Sequence, residues 1–109
     1  MNSWINIGRI EDIPRQGSRV VKTESSGDIA IFRTVSDSIY ALNNKCPHKG
    51  GPISEGIVHG EQITCPLHNW TFDLATGEAT GADKGATGHY PIKIEDGEIY
   101  LSLSVDYVQ

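Results

Sequence analysis

Two short cassettes, Cys46-Pro47-His48 and Cys65-Pro66-Leu67-His68, stand sixteen residues apart in a chain of 109 residues. Each supplies one thiolate and one imidazole, and the chain has only these two cysteines. One Cys/His pair on each of two loops suits a two-iron, two-sulfide cluster of mixed ligation. Both cysteines then hold one iron and both histidines the other. Soft thiolates suit iron and sulfide, and imidazole suits iron as well as zinc. Replacing two thiolates by neutral imidazoles removes two negative charges. That places the reduction potential in a window of about −150 to +300 mV, above all-cysteine plant-type clusters.

Two other arrangements compete for the same side chains. Two Cys and two His also make a tetrahedral zinc site, but structural zinc sites usually group like ligands on one loop. Here each loop carries one of each type. A Cys46–Cys65 disulfide would leave both neighbouring histidines unexplained. His59 lies in the turn-like run Val58-His59-Gly60-Glu61, and His89 precedes Tyr90-Pro91. Neither has a partner cysteine, so both are expected to be non-ligands. Asp73 and Glu55 have no nucleophile or paired carboxylate beside them and are expected to be structural. There is no catalytic site independent of the cluster in this reading.

The prolines and glycines around the cassettes have mechanical uses. A proline pushes the residue before it toward extended geometry, which stiffens the loop at Cys46 and Cys65. Gly50, Gly51 and Gly56 allow backbone to pass where a Cβ would obstruct it.

The pattern resembles the Rieske [2Fe–2S] proteins, with Cys-x-His, a spacer of this length, and Cys-x-x-His. The likeness extends to Lys49-Gly50-Gly51-Pro52 and to Phe72-Asp73-Leu74-Ala75-Thr76-Gly77, and covers roughly residues 38–103. The resemblance implies Cys46, His48, Cys65 and His68 as cluster ligands. It also implies an all-β Rieske-type fold: an antiparallel barrel or sandwich base of three sheets, with a loop-built cluster-binding part. Respiratory members add a disulfide between the loops and a serine after the second histidine. This chain has Asn69-Trp70 there and no third cysteine. With fewer donors to the cluster, its potential is expected near the low end of the window.

Within that family, the runs Cys65–Leu74 and Tyr90–Leu101 look like the small subunit of assimilatory NAD(P)H nitrite reductase. That resemblance implies a large flavin- and siroheme-containing partner subunit that takes nitrite to ammonium. Ala82 in Gly81-Ala82-Asp83 departs from the proline common there. The alternative is a free Rieske ferredoxin, reduced by a flavin reductase and serving the terminal oxygenase of an aromatic-ring dioxygenase. Such proteins share this length and both cassettes, but typically follow the second histidine with glycine.

A chain of this length is expected to be one domain, 1–109, with a modest core. Strands dominate: Trp4–Gly8, Arg19–Lys22, a hairpin of Asp28–Thr34 and Ser38–Leu42 about Val35-Ser36-Asp37, and a second of Pro91–Glu95 and Glu98–Ser104 about Asp96-Gly97. Ile92 and Ile94 alternate with Lys93 and face Ile99, Leu101 and Leu103, which predicts one apolar sheet face. Ile10–Ile13 is a turn at most. The cassettes form a Gly/Pro-rich insertion between the hairpins, so the cluster-binding part spans about 43–83. Trp70 and Phe72 are expected to pack beneath the cluster loops, and Trp4 to anchor the first strand.

A net charge of −5 with nine scattered basic residues argues against nucleic acid. No apolar run of eighteen residues exists, so no transmembrane helix is expected. Met1-Asn2-Ser3-Trp4 carries neither a basic nor an apolar leader region. A cytoplasmic protein, in a compartment that keeps thiols reduced, is the expectation. Cys46→Ser or Cys65→Ser should strip the cluster, because one iron loses a thiolate; the visible absorbance and the iron content of the purified protein test this.

Overall fold

The computed structural model describes residues 4–23, 27–45, 52–65, 70–80 and 85–102. Among the described residues ten strands form three antiparallel sheets, and there is no α-helix. The strands are β1 (Trp4–Arg9), β2 (Gly17–Thr23), β3 (Gly27–Arg33), β4 (Ile39–Asn43), β5 (Ile57–His59), β6 (Gln62–Thr64), β7 (Thr71–Asp73), β8 (His89–Tyr90), β9 (Ile92–Glu95) and β10 (Glu98–Ser102). The sheet orders are β1-β10-β9, β2-β3-β4-β8 and β5-β6-β7. These are the all-β architecture and the three antiparallel sheets that the resemblance implies.

The β2-β3-β4-β8 sheet is the middle layer, and β3 explains why. Ile29, Ala30, Ile31 and Phe32 are all fully buried. Side chains alternate across a strand, so Ile29 and Ile31 face one core while Ala30 and Phe32 face another. The first core adds Ile39 and Ala41 of β4, Tyr90 of β8, and Ile99 and Leu101 of β10. The second adds Leu42 of β4, Ile53, Val58, Ile63, Cys65, Phe72 and Leu74. One sheet therefore has the β1-β10-β9 layer on one side and the cassette-bearing layer on the other.

Both predicted hairpins are present. The β9–β10 turn has Asp96 at φ +53° and Gly97 at φ +78°. Two successive left-handed residues are the geometry that lets a two-residue turn follow the twist of the strands. At the β3–β4 turn, Asp37 accepts from Arg15 Nε at 3.0 Å and Arg33 Nε at 2.9 Å. These guanidiniums, Arg15 first, hold its carboxyl below the usual carboxylate range.

Two expectations need correction. Trp4 is 36% exposed, and the Lys93 ammonium lies 4.9 Å from its ring centroid and 5.5 Å from that of Tyr100. Trp4 thus makes a cation–π contact on the sheet surface and is not a core anchor. The apolar face of β9–β10 is also incomplete. Ile99 and Leu101 are buried, but Ile94, opposite Ile99, is 40% exposed at the hairpin end. Leu103 lies outside the described residues.

The three-residue strands β5, β6 and β7 were not apparent in the sequence. Each centres on one buried apolar residue, and the register places Val58, Ile63 and Phe72 in a single row across the sheet. That row lies in the second core with Phe32 and Leu42. A clasp joins the same sheet to the middle layer: Glu61 accepts from Tyr40 Oη at 2.5 Å and from Ser36 Oγ at 3.3 Å. Its backbone carbonyl also accepts from Leu74 N.

The Glu61 carboxylate, followed by partial burial, raises the Tyr40 phenol above its ordinary value. A raised value means that the neutral phenol favours folding below the unfolded value of about 10. That contribution disappears as pH rises through the folded value. Ultraviolet titration, with Tyr40→Phe as the blank that isolates this residue, should place Tyr40 above about 10. Glu61→Gln should bring it back down.

Candidate metal centre

Cys65 continues β6 by one residue, on the same face as Ile63, and is fully buried. Its backbone N–H donates to the carbonyl of Trp70 at 2.6 Å. This bond extends the β6–β7 pairing by one position beyond Thr64–Thr71. Of the four expected ligands, only Cys65 lies among the described residues; Cys46, His48 and His68 lie outside them. Among the described residues no three metal-binding side chains lie together.

The chain on either side of the first cassette is also tied. Asn44 N donates to Asp28 O at 3.0 Å, and Ser54 N donates to Asn44 Oδ1 at 2.8 Å. Residues 44 and 54 are thereby joined across segment 46–51. Segment 81–84 has a similar stem. Thr80 N donates to Thr71 O at 2.8 Å, and Ala79 N donates to Gly85 O at 2.9 Å. The described ends of the second and third segments thus meet at Thr71, next to Trp70.

Gly56 locks the first stem against the second. A Cβ there would lie 2.0 Å from the carbonyl oxygen of Thr64 and 3.2 Å from that of Ile53. The backbone after the first cassette thus runs against the residue that precedes Cys65. Gly56 is required by this close approach, not merely by a turn.

The surroundings of Cys65 bear on what its thiol can do. It lies in a core with Ile53, Ile63, Phe72 and Leu74. A thiolate in an apolar environment carries a large desolvation cost unless an opposite charge is supplied. A bound metal supplies that charge and deprotonates the thiol outright. The donor set and this burial fit an iron held from the protein side by sulfur.

The other chemistry-bearing residues are placed as follows. Phe72 is fully buried and Trp70 half-buried beside it, with ring centroids 6.1 Å apart, and both pack in the core that contains Cys65. Asp73 accepts from Ala75 N at 2.8 Å, which is a turn bond, and Glu55 is exposed. His89 is in β8, opposite Leu42 in the middle sheet. His59 is exposed but not merely solvated: its Nε2 and Thr64 Oγ1 share a hydrogen bond of 2.6 Å. Sequence reasoning missed that role, because it depends on a strand pairing not evident in the chain.

Comparison with known proteins places this chain in a class. It belongs to the Rieske-like [2Fe-2S] domain family, whose profile matches residues 3–102. Its cofactor is a Rieske-type [2Fe-2S] cluster and its activity is electron transfer. Among individual proteins, it is 36% identical over 103 residues to the ferredoxin component of naphthalene 1,2-dioxygenase/salicylate 5-hydroxylase systems of Ralstonia sp., covering 93% of this chain and 96% of that one. Its fold matches a chain in the complex of reduced oxygenase and oxidized ferredoxin in carbazole 1,9a-dioxygenase with a TM-score of 0.81. That match has 26% identity and covers 91% of this chain and 92% of the other. The fold of an NADH-dependent nitrite reductase small subunit from Mycobacterium tuberculosis is also similar, with a TM-score of 0.84 at 21% identity, over 94% and 96% of the two chains.

The contact at Gly56 has a measurable consequence. Gly56→Ala should cost about 1–3 kcal/mol, the usual range for overpacking. It should also lower the iron bound per chain, because the Thr64 carbonyl beside Cys65 must move. Denaturant unfolding and iron analysis check the two effects.

Proposed function

We propose that this chain is the ferredoxin component of an aromatic-ring-hydroxylating dioxygenase system. Cys46 and Cys65 would hold one iron of its cluster, and His48 and His68 the other. When bound, the cluster supplies a one-electron carrier. The protein's part is to bury sulfur beneath the loops and to hold the three loop stems together. The 109 residues act as one domain, with the cluster-bearing part at about 43–83, and the working compartment is the cytoplasm.

The observation that carries this reading is the end-to-end likeness to a dioxygenase ferredoxin, at 36% identity over 93% of this chain and 96% of the relative. The nitrite reductase small subunit expected from the runs around Cys65 and Tyr90 is supported at the level of fold, and 21% identity carries no function.

Reconstitution separates the two partners. Mixed with a flavin reductase, NADH and a naphthalene-type terminal oxygenase, the protein should support product formation that depends on its concentration. If it gives no such turnover but co-purifies with a siroheme protein and supports nitrite-dependent NAD(P)H oxidation, the dioxygenase reading is overturned.

A further inference from the structure

The outer face of the β5-β6-β7 sheet carries a chain of side-chain hydrogen bonds. His59 Nε2 and Thr64 Oγ1 are 2.6 Å apart, and Thr64 Oγ1 and Thr71 Oγ1 are 3.0 Å apart. One residue comes from each strand of the sheet. Thr64 immediately precedes Cys65, and Thr71 immediately follows Trp70, whose carbonyl accepts from Cys65 N. The two threonines therefore flank the Cys65–Trp70 pair.

We infer that His59, acting through Thr64 and Thr71, is a positioning residue for Cys65. The inference rests on the ligand assignment proposed above. Geometry makes His59 specific for the task. In register it faces Gln62, and Thr64 is its diagonal neighbour two residues along β6. Diagonal neighbours in an antiparallel pair are about 7–8 Å apart, within reach of an aromatic ring but not of a short side chain. Because side chains alternate along a strand, the Thr64 hydroxyl lies on the opposite face from the Cys65 thiol. The brace thus holds the strand from outside while the core holds Cys65 from within.

The strand end that bears Cys65 has reason to need this support. Strands β6 and β7 are three residues long, and β5 is the sheet's edge. A two-stranded hairpin of that length is marginal alone. With β6 and β7 bound to each other and to β5 by side chains as well as backbone, the Cys65–Trp70 closure is kept in one register.

The test uses the full chain with its cluster. His59→Ala, Thr64→Val and Thr71→Val remove one member each, while His59→Gln and Thr64→Ser keep a hydrogen-bonding group. The three deletions should broaden the electron resonance lines of the reduced cluster, as Cys65 samples several positions. They should also speed loss of the cluster to a chelator by about threefold to tenfold, the range set by one net hydrogen bond. The conservative pair should behave like the wild type, and unfolding of the apo-protein should change little. Unaltered lines and loss rates in His59→Ala and Thr64→Val would overturn the inference. So would conservative variants no better than the deletions, or a drop in apo-protein stability that accounts for the loss rate while the lines stay sharp. A wild type that shows no Rieske-type resonance overturns the ligand assignment and this inference together.

Discussion

Burial of β3 on both faces is the constraint from which the rest of the molecule follows. Ile29 and Ile31 on one side, and Ala30 and Phe32 on the other, have no exposed surface. A strand of this kind is favourable only if both faces are covered. The β1-β10-β9 sheet covers one face, through Ile99 and Leu101. The other is covered by the row Val58, Ile63 and Phe72 together with Ile53, Leu74 and Cys65. The apolar requirement of the scaffold and the placement of a chemically active sulfur are thus met by the same layer. Removing the cassette-bearing sheet would expose Phe32 and Leu42, so the site is part of the core and not an appendage.

How much of this was legible in the chain depends on the length of each pattern. The hairpins at Val35–Asp37 and Asp96-Gly97 could be read because their strands are long enough to alternate and their turns contain residues that accept unusual φ. Strands β5 to β8 span two or three residues each, too few for a period to register. Their pairing is set by burial, of β5 to β7 against Phe32 and Leu42 and of Tyr90 in β8 with Ile29 and Ile31, which is tertiary information. Trp4 and Ile94 were misjudged for a related reason. Whether an apolar side chain near a sheet end is covered depends on what lies over it, and composition does not say.

The site divides in the same way. Ligand type and spacing are covalent facts of the sequence, so the cofactor class could be argued directly from Cys46, His48, Cys65 and His68. The close approach of Gly56 to Thr64 and the bond between His59 and Thr64 join segments that only the fold brings together. The redox partner was the least legible property. Ligands that hold an iron–sulfur group are shared by carriers with very different partners, and recognition lies in surface detail beyond the two cassettes. A single position, such as Asn69 in place of glycine, was too little to separate a nitrite reductase subunit from a dioxygenase ferredoxin.

The layered plan also divides the molecule optically. Its two tryptophans sit in different layers: Trp70 against the core that contains Cys65, and Trp4 on the remote sheet beneath the Lys93 ammonium. Indole emission from the first is sensitive to whatever chromophore the neighbouring loops carry. The second responds to the integrity of the far sheet, so each half of the protein has its own built-in fluorescent reporter.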